Sequence, residues 1–384
     1  FTITADGSSQ GNNSNGNLYI YWAVAKNVPS NTTLASSFSA VRYSGSNDSD
    51  SSTTRRAVSG LGFKPDLLWI KRTDGSEAHF LQDSLRGSKS TVYSSGNSAE
   101  YIEHHGVQNF DENGFTVAGY NGTNKYREAF IAWGWKAGNT WQSNVDGTQS
   151  STVNVNTANG FSIVKWKTNG SSSQTVGHGL SSTPELVIYK RLDSSQDWFV
   201  ETNAIDGSYD YGNLNSSSAF TTNEAGAWST RATSTTITNF TSSANFEYIA
   251  YCWHSVSGYS KISSYDGTGS TNAITGLGFA PDWVMIKEVD GGDSWQVYDS
   301  LRGAGNVVYP NGSNAQYAGS ELASFDSNGF TVSGNSSNNE SGKKYLYMAF
   351  AKNATDNNTL ANSFKVKTYT GNGSTREITG IGFK

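Results

Sequence analysis

A single cysteine, Cys252, excludes an intrachain disulfide in this 384-residue chain and with it every Cys-x-x-Cys zinc or redox motif. In the run "YIAYCWH" it is expected as a small core side chain rather than a reactive thiol. Charge is also scarce, at 15% charged residues with a net of -5, so no basic field exists to hold nucleic acid. No apolar run approaches the roughly 20 residues of a membrane-spanning helix. The opening "FTITADG" has neither the basic nor the apolar region of a signal peptide. The chain contains no GxSxG, no HExxH and no phosphate-cradling glycine loop. Glycoside hydrolysis needs two carboxylates about 5–10 Å apart, and none of the 32 Asp and Glu residues is marked for that role by its surroundings. The expectation is a non-enzymatic protein with no cofactor and no metal.

What the chain does have is 13% aromatic residues, 11 Trp and 20 Tyr among them, punctuated by 41 Gly. Disordered Ser/Asn-rich chains lack aromatics. Short aromatic and β-branched runs separated by Gly and Asn read as strands and turns, which makes this an all-β protein with little helix.

The chain also repeats itself. "VSGLGFKPDLLWIK" at 58–71 returns as "ITGLGFAPDWVMIK" at 274–287, and "ITGIGFK" begins it again at the end. Gly62 and Gly278, Pro65 and Pro281, Asp83 and Asp299, Arg86 and Arg302, Val92 and Val308, and Tyr101 and Tyr317 share one offset, 216. A weaker copy, "VGHGLSSTPELVIYKRL", lies between them at 176–192 and lacks the "DSLRG" segment. Each copy opens on an aromatic strand, at 38, 161, 259 and 364, and closes on another ending near 136, 254 and 352. The unit is therefore about a hundred residues long. The boundaries read as the C-terminal part of a repeat over 1–37, repeats over 38–137, 138–256 (divergent, with an N-terminal extension) and 257–363, and the start of another over 364–384. Phe38 and Phe364, like Lys26 and Lys352, lie 326 apart. Short strands with regular turn signals predict tandem antiparallel β-sandwich repeats, jelly-roll-like in form.

The motifs "TGLGF.PD…IK", "YDS.RG", "FD.NGFTV" and "YIAYCWHSVSGYSK", in that setting, resemble tandem repeats of tailed-phage virion proteins of the marine and cyanophage type. The resemblance covers essentially the whole chain and implies a tail fibre or capsid-surface fibre or decoration protein. It further implies a place on the virion surface and self-association into a fibre, for instance as a trimer. Other virion proteins and host-surface glycans are the partners it implies, without nucleic acid or membrane insertion. It names no catalytic residues. A carbohydrate-binding adhesin is the alternative reading, and a glycan depolymerase the second alternative.

Four aromatic residues are the candidate contacts. Trp133 and Trp135 correspond to Tyr251 and Trp253, then to Ala349 and Ala351, and to Ala23 and Ala25. Truncating a buried Trp costs about 3–5 kcal/mol, so this variation predicts a face that is exposed to glycans or packs differently in each repeat. Asp83 with Arg86, and Asp299 with Arg302, are expected as turn pairs closed by Gly87 and Gly303, against a ligand-binding alternative. Asp111-Glu112-Asn113-Gly114 and Asp326-Ser327-Asn328-Gly329 read as Asx-turns entering hairpins, with Ca²⁺ ligation as the alternative. His104-His105 is a weak metal pair without a counterpart. Lys71, Lys190 and Lys287 each end an apolar strand and are expected to reach water.

Overall fold

The computed structural model describes residues 2–3, 18–24, 37–47, 54–102, 106–119, 121–138, 140–171, 174–222, 231–238, 243–334, 336–351, 364–370 and 376–377. The chain forms two compact units, one of Leu34–Asn353 and one combining Phe1–Thr33 with Ala354–Lys384. In the latter, Leu18–Val24 pairs antiparallel with Phe364–Thr370, and Thr2–Ile3 with Arg376–Glu377.

Unit 34–353 is antiparallel β structure, with helix limited among the described residues to the single turns Asn121–Asn124 and Ser336–Asn339. Twelve of its strands fall into three sets of four. The first stretch contributes β1 (Phe38–Ser44), β2 (Leu67–Arg72), β3 (Phe80–Asp83) and β4 (Ala129–Trp135). The second contributes β5 (Phe161–Asn169), β6 (Leu186–Arg191), β7 (Phe199–Thr202) and β8 (Ala244–Trp253). The third contributes β9 (Ser260–Asp266), β10 (Pro281–Glu288), β11 (Gln296–Asp299) and β12 (Lys344–Ala351). One order is kept in all three: β1-β4-β2-β3, β5-β8-β6-β7 and β9-β12-β10-β11.

The closing strand of each stretch shows why it alternates. Side chains of successive strand residues point to opposite faces. From β4, Phe130 and Ala132 enter a core shared with Val58, Phe115 and Val117 of a small sheet over the same stretch. Ile131, Trp133 and Trp135 face the other way, into a core common to all three stretches. In β8, Tyr248, Ala250 and Cys252 point to the local core, while Ile249, Tyr251 and Trp253 point to the common one. In β12 the division is Tyr345, Tyr347, Ala349 and Ala351 against Leu346, Met348 and Phe350. Both faces are buried, which explains the unbroken apolar runs of β2, β6 and β10.

The Asn-Gly turns have a second use. Asn113 Oδ1 accepts from Gly62 N at 2.6 Å, and Asn328 Oδ1 from Gly278 N at 2.7 Å. Each hairpin thus docks onto the "GLGF" loop of its own stretch. Gly114 and Gly329 hold φ of +146° and +155°, and a Cβ there would strike the Val58 or Ile274 carbonyl.

Candidate functional site

An exposed face and packing that differs between stretches are the two alternatives for the four aromatic residues. The strand register bears on the second and corrects the residue correspondence on which it was based. Trp135 lies opposite Phe38 and Leu67, Trp253 opposite Phe161 and Leu186, and Phe350 opposite Ser260 and Trp283. The counterparts of Trp133 and Trp135 are therefore Met348 and Phe350, not Ala349 and Ala351. A one-residue slip turns every side chain of a strand to the wrong face, and alignment on the final lysines makes that slip. Trp133, Trp135, Tyr251 and Trp253 are all at most 3% exposed. They offer no surface on which a sugar ring could stack. Trp135 meets Trp253 at a centroid distance of 6.3 Å, Trp283 at 5.7 Å and Phe350 at 5.7 Å, so the three stretches converge on it.

Beside this aromatic centre lie the Asp–Arg pairs. Arg86 N donates to Asp83 Oδ1 at 2.9 Å and Nε to Oδ2 at 2.5 Å, while Gly87 N donates to the Asp83 carbonyl. Asp299, Arg302 and Gly303 repeat the pattern, with 2.9 and 2.5 Å. The carboxylates then reach into the neighbouring stretch. Tyr251 Oη donates to Asp83 Oδ2 at 2.7 Å, and Trp133 Nε1 to Asp299 Oδ2 at 3.1 Å. Burial raises the Tyr251 phenol well above its ordinary pKa, so it stays a donor.

The register places Thr202 where the other stretches have Asp83 and Asp299, since each faces the same position of the adjoining strand (Leu186, Leu67, Trp283). Ile205 then takes the place of the arginines. Ser264 Oγ of the third stretch donates to the Ile205 carbonyl at 2.8 Å, and in that stretch Met348 occupies the position of Trp133 and Tyr251. At this position the second-to-third junction therefore has neither the carboxylate–arginine pair nor the aromatic donor. The missing "DSLRG" and the missing aromatic donor are one change, because a donor without its carboxylate would be buried unpaired at a cost of about 1–3 kcal/mol.

A second set of links follows the same cycle. Trp198 Nε1 donates to the Tyr93 carbonyl, and Trp295 Nε1 to the Asn213 carbonyl, both at 2.9 Å. His79 holds the equivalent place, with the Tyr309 carbonyl as its neighbour. Backbone links recur likewise at 2.8 Å, from Glu100 N to Leu192 O, Phe220 N to Val289 O and Gln316 N to Thr73 O. The 216 offset joins His79 to Trp295 in the sequence, but nothing in the sequence marks either side chain as crossing between stretches.

Lys71, Lys190 and Lys287 do not reach water: they are at most 1% exposed. Their ammonium groups are capped by carbonyls, as in Lys190 Nζ to Arg191, Gln196 and Asn97 at 2.8, 2.9 and 3.2 Å. Asp111 and Asp326 spend their oxygens on their own hairpins, each accepting from a threonine hydroxyl (Thr116 and Thr331) at 2.7 Å. Among the described residues no group of three or more His, Cys, Asp or Glu is placed to hold a metal ion. His104 and His105 lie outside the described residues. Cys252 is buried in the local core of the second stretch, and burial raises its thiol pKa.

These features define an all-β protein whose recurring polar residues are spent on turns, hairpins, carbonyl caps and contacts between its three stretches. The chain belongs to the family of a domain of unknown function, DUF7483, which matches residues 34–354. That span takes in all three stretches and coincides with the compact unit 34–353. No curated protein and no solved structure matches the chain.

Proposed function

We propose that the chain is a non-enzymatic structural protein of a phage virion, a tail fibre or a capsid-surface fibre or decoration, built of β-sandwich repeats packed in threes. The observation that carries this reading is the fate of the recurring polar residues. Asp83, Arg86, Asp299, Arg302 and the three buried lysines are consumed by turns, carbonyl caps and contacts between stretches. A residue repeated for packing in each unit is what a scaffold needs, and linked units multiply weak contacts when geometry allows. The virion assignment rests on the resemblance of the "GLGF.PD", "FD.NGF" and "YIAYCWH" motifs to tailed-phage repeats.

Immunogold labelling of purified virions with antibody raised against residues 34–353 tests the reading. Labelling at a regular place on the particle is expected. Absence of the chain from particles, with presence in infected-cell lysate, would overturn it. Release of reducing ends from host polysaccharide by the purified chain would instead favour the depolymerase alternative.

A further inference from the structure

The second stretch begins with a hairpin that has no counterpart at the next junction. Trp141–Asn144 pairs with Ser151–Asn156, which continues into the second stretch's sheet through β5. Between β8 and β9 only residues 254–259 intervene, too few for such a hairpin. The hairpin carries Trp141, which is 56% exposed, whereas the other eight tryptophans with described side chains are each at most 3% exposed. Packing accounts for those eight and not for Trp141.

Trp141 borders a cleft of about 470 Å³ between the hairpin and the first stretch, within the roughly 300–1,000 Å³ of small-ligand sites. Its cross-strand partner is Asn154, and directly opposed residues share one face of a hairpin. Asn154 is 1% exposed, and its Nδ2 donates to Asp66 Oδ1 at 2.8 Å and to Ser84 Oγ at 3.2 Å. Asp66 also accepts from Ser84 Oγ at 2.6 Å and Ala137 N at 2.9 Å. These three bonds leave room for another, since a carboxylate has about four lone-pair sites. Asn154 Oδ1 is buried beside Gly138 and has no partner. The lining of the cleft includes Lys64 and Lys136 against Glu112 and Asp66, two charges of each sign.

We propose that this cleft binds a neutral saccharide, with the Trp141 indole as its stacking platform and Asp66 and the surrounding polar groups as hydroxyl partners. Balanced charge gives no attraction for phosphate or polyanions, which need an excess of donors and positive charge. A single flat indole beside mixed donors and acceptors matches a pyranose, which has an apolar face and hydroxyls around its edge. The site is separate from the buried tryptophans and does not depend on where the protein resides.

The test is a glycan array carrying neutral hexose, N-acetylhexosamine and uronate oligosaccharides, probed with the full chain, followed by titration of the best neutral saccharide. Saturable binding to neutral or N-acetylated glycans is expected. Trp141→Ala should weaken it at least tenfold at unchanged melting temperature, and Trp141→Phe should restore most of it. No binding on the array, binding confined to uronates, or binding that Trp141→Ala leaves unchanged would each overturn the proposal. Because Trp141 is exposed, the variant is expected to fold, and circular dichroism checks that independently.

Discussion

Tyr251 Oη donates to Asp83 Oδ2 at 2.7 Å across the boundary between the first and second stretches. Asp83 is already engaged by Arg86, and both side chains of that ion pair are fully buried. A buried pair broken on one side is strongly destabilising, whereas its replacement by apolar groups can be neutral. The molecule contains both solutions, because the second-to-third junction uses Thr202, Ile205 and Met348 at the equivalent places.

Tyr251→Phe should therefore destabilise the chain by about 1.5–3 kcal/mol, the range for a hydrogen bond to a charged group. Asp83→Ala should cost about 3 kcal/mol, the lower end for a broken buried pair, because Arg86 keeps Glu100 at 3.1 Å and the Leu81 carbonyl. The triple variant Asp83→Thr, Arg86→Ile, Tyr251→Met imports the residues of the second-to-third junction and should be more stable than Asp83→Ala alone. Urea denaturation midpoints at constant slope measure all three, and a triple variant that is the least stable would refute the equivalence of the junctions.

Trp135 sits where the three stretches converge, so Trp135→Ala should cost about 3–5 kcal/mol. The loss should appear as a lowered unfolding midpoint for the whole unit 34–353. Unchanged stability would mean that the indole is not packed as described.

Burial pushes Lys71, Lys190 and Lys287 down to about 8. An unfolded lysine titrates near 10.4. Between pH 8 and about 10 the unfolded chain thus holds more protons than the folded one, and stability rises with pH. Below pH 8 both states are protonated and the cost of burying the charge is fully present. Above about 10 the buried tyrosines, Tyr251 among them, work the other way, since burial raises their pKa. Each lysine adds up to about 1.4 kcal/mol per pH unit within the window. Urea titrations at pH 7, 8, 9 and 10 should show the rise and Lys190→Met should reduce it; a profile that falls from 8 to 10 would contradict the assignment.

Gly114→Ala and Gly329→Ala combine a left-handed backbone with a clash against the Val58 or Ile274 carbonyl. Each should cost more than about 1 kcal/mol. Gly96→Ala, at a position with open space around it, should be near neutral and serves as the control in thermal melts.

Much of this architecture is legible in the sequence. The 216 offset fixes which residues of the first and third stretches are equivalent, and "FDENGF" and "FDSNGF" place the hairpins. The positions of Asp83 and Arg86 as a turn pair follow from the glycine beside them. What resists reading is which face of a strand looks inward when both are buried. Alternation between polar and apolar residues then vanishes, and the Trp–Ala comparison fails through a one-residue slip that the pairing of Phe350 with Ser260 resolves. The buried lysines mislead for a related reason. Their caps are carbonyls such as Gln196 O and Asn97 O, and a backbone oxygen leaves no trace in residue identity. Trp141 is plain in the sequence, but only its exposure beside Asp66 and Asn154 separates it from the other indoles.

The common core has a mechanical consequence. Beads on a string, each with a private core, yield to tension one at a time. Here every stretch lends one sheet face to the same interior, so opening any one of them wets the indoles of the other two. Pulled from its ends, residues 34–353 should give way in a single event that frees roughly 110 nm of contour, not in three steps of about a third each. Such a body behaves under load as one stiff link.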